Sequence, residues 1–136
     1  MQTLLIDTDP GVDDALALLM AHGHAGTRVA AITTTAGNVG LAHTTRNARR
    51  LLALMGADTP VFPGCETPLV RLADDAAFVH GRDGFGDVGY EPVPEPGTPA
   101  EHAALAMLAL SRRHAGEITF VMLGPLTNLA LALKLD

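Results

Sequence analysis

Four aspartates fall within eight residues near the start of this chain, in Leu4-Leu5-Ile6-Asp7-Thr8-Asp9-Pro10-Gly11-Val12-Asp13-Asp14-Ala15. An apolar run precedes them, a Pro-Gly turn signal divides them, and Asp14 opens an apolar helical stretch. The acids therefore sit at the carboxyl end of a buried parallel strand and the amino end of a helix, where α/β sheets bind ligands. At an effective dielectric of about 20, two unit charges roughly 4 Å apart repel by about 4 kcal/mol. A domain has only about 5 to 15 kcal/mol of net stability against that. The cluster is tolerable if the side chains splay into water, if a carboxylate protonates, or if a cation neutralises them. Splayed, Asp13 would do no more than cap a helix and favour its dipole. With neither His nor Cys in the cluster, a bound cation would be a hard one, calcium or magnesium rather than zinc.

The rest of the chain supplies a frame for that turn. Its 136 residues suffice for one domain with a real core, and the 48% apolar content fits a well-buried α/β protein. Because only 4% of the residues are aromatic, Leu, Ala and Val must fill that core. A net charge of −6 disfavours nucleic acid as a partner, since phosphate binding needs clustered Lys and Arg. The single cysteine, Cys65, excludes an internal disulfide and reads as a small hydrophobe. No stretch is long and apolar enough to span a bilayer, and Met1-Gln2-Thr3 carries no basic leader, so a cytoplasmic protein without membrane contact is expected.

Strand and helix signals alternate. Leu4 to Ile6 and the β-branched Val29 to Thr33 predict two strands, Pro60 to Phe62 a brief third, and Ile118 to Leu123 a fourth. Between them, Ala15 to Ala21 predicts a helix apolar nearly all round and buried on several sides. Leu41 to Met55 predicts an amphipathic helix stopped by Gly56, with Arg46, Arg49 and Arg50 as a solvated face. Ala100 to His114 and Leu129 to Leu135 predict two more helices. The segment 63–99 is rich in Gly, Pro, Asp and Glu and reads as a mobile cover over a site. The pattern implies an α/β fold: a doubly wound, mainly parallel sheet with helices on both faces. The carboxyl ends of the first, second and fourth strands then bring Asp9, Asn38 and Leu123 towards one crevice.

Asp7-Thr8-Asp9-Pro10-Gly11-Val12-Asp13-Asp14-Ala15 resembles D-x-D-P-G-x-D-D-A, the amino-terminal signature of the inosine-uridine preferring nucleoside hydrolases. Ala36-Gly37-Asn38, His80-Gly81 and Gly124-Pro125-Leu126-Thr127-Asn128 match later segments of that family in order. The resemblance covers the whole chain but only the amino-terminal part of the family's single domain, so residues 1–136 are expected to be completed by a carboxyl-terminal segment or a second chain. It implies calcium held by Asp9, Asp14 and the backbone carbonyl of Leu123. It also implies ribose contacts from Asp13 and Asn38, a nucleobase contact from His80, and Asp9 as the general base in hydrolysis of the N-glycosidic bond. Asp7 would brace the loop from behind. Phe85 could stack on a base, although packing on the domain is its simpler role. His22, His24, His43, His102 and His114 share no spacing with the acids and read as structural. A homo-oligomer working in purine and pyrimidine salvage is expected, with the site's remaining Asp and the leaving-group acid beyond Asp136.

Two other readings compete. Asp7-Thr8-Asp9 after an apolar strand resembles the nucleophile and acid pair of haloacid-dehalogenase-like phosphohydrolases, which use magnesium, but Pro10-Gly11 replaces the expected continuation. A fragment that binds a cation and ribose without turnover is the non-enzymatic reading.

Overall fold

The computed structural model describes residues 1–91 and 101–136. The strand β1 (Gln2–Thr8) leads through the acidic turn into the helix α1 (Val12–Gly23), followed by β2 (Thr27–Thr34), α2 (Leu41–Met55), β3 (Val61–Pro63) and a single-turn helix α3 (Ala77–His80). Then come α4 (Ala103–Arg113), β4 (Ile118–Met122) and α5 (Thr127–Leu135). Among the described residues the strands form one sheet in the order β3-β2-β1-β4, and every pairing is parallel.

β1 is central, and both of its faces are covered from Leu4 to Thr8. That double burial explains its unbroken apolar run. On one face Leu4, Ile6 and Ile32 pack with Leu18 of α1 and with Ala48, Leu51 and Leu52 of α2. On the other, Leu5 and Ala31 pack with Ala104 and Met107 of α4 and Ala132 of α5. Two layers of helices thus sandwich the sheet, as the alternating pattern predicts. No helix among the described residues is long and apolar enough to cross a membrane.

Several local expectations are corrected. α1 begins at Val12, two residues before the expected opening at Asp14, because Asp14 Oδ2 accepts the Gly11 N–H at 3.2 Å and so closes the helix start. It is also buried on one side only. Leu18 is fully enclosed, whereas Leu16 and Met20 are 62% and 74% exposed. The arginines of α2 do not form a solvated face. Arg49 is buried, and Arg50 lies over the Tyr90 ring at 5.5 Å and donates to the Tyr90 carbonyl at 3.3 Å, while Arg46 alone is exposed. Guanidinium groups have long apolar stems and flat faces, so they pack where lysine would not. α5 starts two residues before Leu129, at Thr127, and α4 starts at Ala103; the expected start at Ala100 lies outside the described residues.

Of the segment 63–99, positions 92–99 also lie outside the described residues. In the part before them, Ala76 N donates to Asn38 O at 2.9 Å, and Gly86 N to His80 O at 2.8 Å. Phe85 packs against the core cluster below and meets Tyr90 edge to face, with centroids 6.1 Å apart. That is the simpler of its two expected roles.

Candidate functional site

The carboxyl ends of β1, β2 and β4 do converge. Asp9, just beyond β1, is 5% exposed, and its Oδ2 accepts the backbone N–H of Asn38 at 2.7 Å. The Asn38 amide returns the contact, with Nδ2 donating to Asp9 O and to Asp14 Oδ2, both at 3.0 Å. Asp14 is 6% exposed and also accepts from Thr8 Oγ1 at 2.7 Å. One asparagine therefore bridges two buried carboxylates, fixing their orientation and leaving its own Oδ1 for a ligand.

Bare backbone presses on Asp9 from two sides. A Cβ on Gly37 would come closer than 3.0 Å to the Asp9 carboxylate, and one on Gly124 would stand 2.8 Å from Asp9 Oδ1. Both positions admit only glycine without displacement. Leu123, the residue before Gly124, donates its N–H to the Asp7 carbonyl at 2.8 Å. The end of β4 is thereby held against the acidic turn.

Asp13 and His80 form a second, more open edge. The Asp13 side chain is 82% exposed and lies 4.0 Å from His80 Nε2. His80 Nδ1 accepts the Val12 N–H at 3.3 Å, at the amino terminus of α1. With Nδ1 accepting, the neutral ring carries its proton on Nε2, facing Asp13.

Asp7 lies behind the site, fully buried, and its Oδ1 accepts from Thr33 Oγ1 at 2.6 Å and Asn128 Nδ2 at 2.8 Å. Burial raises its pKa, and the two hydrogen bonds offset this in part. So enclosed a carboxylate is placed to brace rather than to attack a phosphoryl group, which removes the basis of the phosphohydrolase reading. Asn128 was not singled out from the sequence, although Gly124-Pro125-Leu126-Thr127-Asn128 was. Its Nδ2 also donates to Thr34 O at 3.0 Å, and its Oδ1 accepts from Cys65 N at 2.9 Å. Asn47 was missed altogether, since a polar residue in an amphipathic helix gives no signal of the carbonyls it meets in the folded chain.

Burial pushes the Asp9 carboxyl up to about 6; the Asn38 N–H opposes this, and the nearby Asp14 and Asp13 add to it. The raised value has a thermodynamic sign. The folded chain keeps a proton on Asp9 that the unfolded chain releases above 3.8. Asp9 therefore contributes stability that is fully present below pH 3.8 and lost as the pH rises to about 6. In calcium-free buffer, denaturant melts across this range are expected to show that fall, and an Asp9→Asn variant a flatter profile.

Among the described residues no group of three or more His, Cys, Asp or Glu side chains gathers as a metal centre. The donor set beside Asn38 nonetheless suits a hard cation in kind. It consists of two buried carboxylates; burial is the main reason the Asp9 value is raised and the Asp14 charge adds to it, and a cation would offset both costs.

Fold and site together define a parallel α/β protein with two buried, asparagine-bridged carboxylates at the carboxyl ends of its strands. The family model described as inosine-uridine preferring nucleoside hydrolase matches residues 4–136. The chain belongs to that family. It is 39% identical to the inosine-uridine preferring nucleoside hydrolase of Leishmania major over 98% of its own length and 43% of that protein. It is 43% identical to uridine nucleosidase 1 of Arabidopsis thaliana, covering 99% of this chain and 40% of that one. Among solved structures, the purine-preferring ribonucleoside hydrolase from Gardnerella vaginalis superposes with a TM-score of 0.92 at 31% identity, over 99% of this chain and 44% of its own. The chain thus spans less than half the length of these relatives.

Proposed function

We propose that the protein carrying this chain hydrolyses the N-glycosidic bond of ribonucleosides, giving ribose and free base. The observation that carries the reading is the bridged pair Asp9–Asn38–Asp14, set in the crevice of a nucleoside hydrolase fold. Asp9, Asp14 and the carbonyl of Leu123 would hold calcium. When bound, calcium would supply positive charge that fixes ribose hydroxyls and acidifies water.

The chain's own residues divide the remaining work. Asp9 takes the proton of the attacking water as general base. Exposed Asp13 accepts a hydrogen bond from a ribose hydroxyl, and Asn38 Oδ1 accepts another. His80 contacts the nucleobase. The bond breaks through an oxocarbenium-like state, and the ring of carboxylates stabilises positive charge as it develops on the sugar. Nucleoside salvage by a homo-oligomer is the setting this chemistry fits.

The test is release of reducing sugar from inosine and uridine by the protein carrying this chain. Ribose and free base are expected in calcium, with loss on chelation and recovery on adding calcium back. Intact nucleosides after prolonged incubation in calcium would overturn the proposal and leave a fragment that binds without turnover.

A further inference from the structure

We infer that Asn47 is a positioning residue that latches the His80–Asp87 turn to the Asp9–Asp14 turn, so that two walls of the crevice move as one. Asn47 lies in the middle of α2 and is 1% exposed. Its Nδ2 donates to Pro10 O at 3.0 Å and to Asp83 O at 2.8 Å. Pro10 lies between Asp9 and Asp13, and Asp83 lies three residues after His80. Both donors of one amide are thus committed to carbonyls from two separate segments. Its Oδ1 is buried without a hydrogen-bond partner among the described residues. An apolar residue would avoid that cost, so the two donors are what the position requires.

The turn facing Asn47 is shaped for this contact. Gly84 adopts φ +83°, and a Cβ there would stand 2.8 Å from Asn47 Nδ2 and 3.2 Å from Pro10 O. Asp83 Oδ1 accepts from Phe85 N at 2.7 Å and Asp87 N at 3.0 Å, while Asp87 Oδ1 accepts from Asp83 N at 3.0 Å. These bonds make the turn a closed unit, and its carbonyl is then the handle that Asn47 grips. His80 rides on the same unit and reaches Val12 N and Asp13 from it. The segment 63–99, expected to be a mobile cover, is on this inference fixed at its centre and serves as a wall.

The discriminating variant is Asn47→Asp, which keeps the volume and loses both donors. Arg82 is exposed beside Asp83, and Arg71 is exposed earlier in the same segment. Tryptic cleavage at Arg82 relative to Arg71 is expected to rise about fivefold or more as the turn comes free. An unchanged ratio would overturn the latch. A second readout rests on the hydrolase reading above. KM for a nucleoside should rise about tenfold with kcat changed less than about threefold. In a His80→Ala background the same substitution should raise KM by clearly less than it does alone, since one of the two groups it positions is already gone. Independent, multiplying effects would equally overturn the inference. If Asn47→Asp does not fold, Gly84→Ala opens the same contact from the other side and is read in the same way. Should the unaltered protein show no turnover, the hydrolase reading fails while the cleavage ratio still decides the latch.

Discussion

Replacing Asp9 by asparagine is expected to cut ribose release by about a thousandfold, in the middle of the range for a lost general base, while making the protein more stable at neutral pH. The two effects have opposite signs for one reason. The ionised carboxylate is held 5% exposed beside Asp14, and its pKa near 6 measures how poorly the folded chain tolerates that charge. Asparagine keeps the shape and can still accept the Asn38 N–H, but carries no charge and cannot take a proton. Ribose release and denaturant melts at pH 7, measured on the same preparation in calcium-free and calcium-containing buffer, check both signs. Turnover within about tenfold of the original protein would remove Asp9 from the base's role. A variant less stable than its parent without calcium would show that the carboxylate is held by something other than the contacts described here.

The second large effect is expected at Asn128. Substituting leucine conserves volume and strips the amide that joins Asp7 Oδ1, Thr34 O and Cys65 N. Each buried group left unpaired costs about 1 to 3 kcal/mol, so a loss of about 3 to 5 kcal/mol is expected, a large part of a domain's stability. Urea unfolding followed by circular dichroism measures it, with the slope unchanged if the folded state is otherwise preserved. The site sits on the same brace, because the Asp7 carbonyl holds Leu123 N and Gly124 presses on Asp9. Calcium affinity is therefore expected to weaken along with stability. A loss below about 1 kcal/mol would mean that water replaces the amide.

What the sequence made legible follows the range of the signals. The strands around Leu4–Ile6 and Val29–Thr33 and the helix Leu41–Met55 with its Gly56 stop are written in local periodicity, and they stand where expected. The convergence of Asp9, Asn38 and the end of β4 could be foreseen, because a parallel sheet delivers all strand ends to one edge. The signals failed where a side chain's partner lies far off in the chain. Asn47 and Asn128 look like ordinary helix residues until their carbonyl partners are in place. Arg50 looks solvated until Tyr90 folds over it. The apolar circumference of α1 suggested burial all round, yet hydrophobic spacing cannot say how many faces find neighbours. Glycine-rich composition from Pro63 onward does not reveal the tight turn that the positive φ angles at Gly81, Gly84 and Gly86 wind.

The central strand pairs on one side with a neighbour that follows it almost at once and on the other with one made very late, since Thr3 lies opposite Thr119's predecessor Ile118. At ribosomal speeds of roughly 5 to 20 residues per second, that second flank stays bare for on the order of ten seconds after β1 emerges. Through this interval the nascent chain carries an uncovered hydrophobic ribbon with the aspartates at its tip.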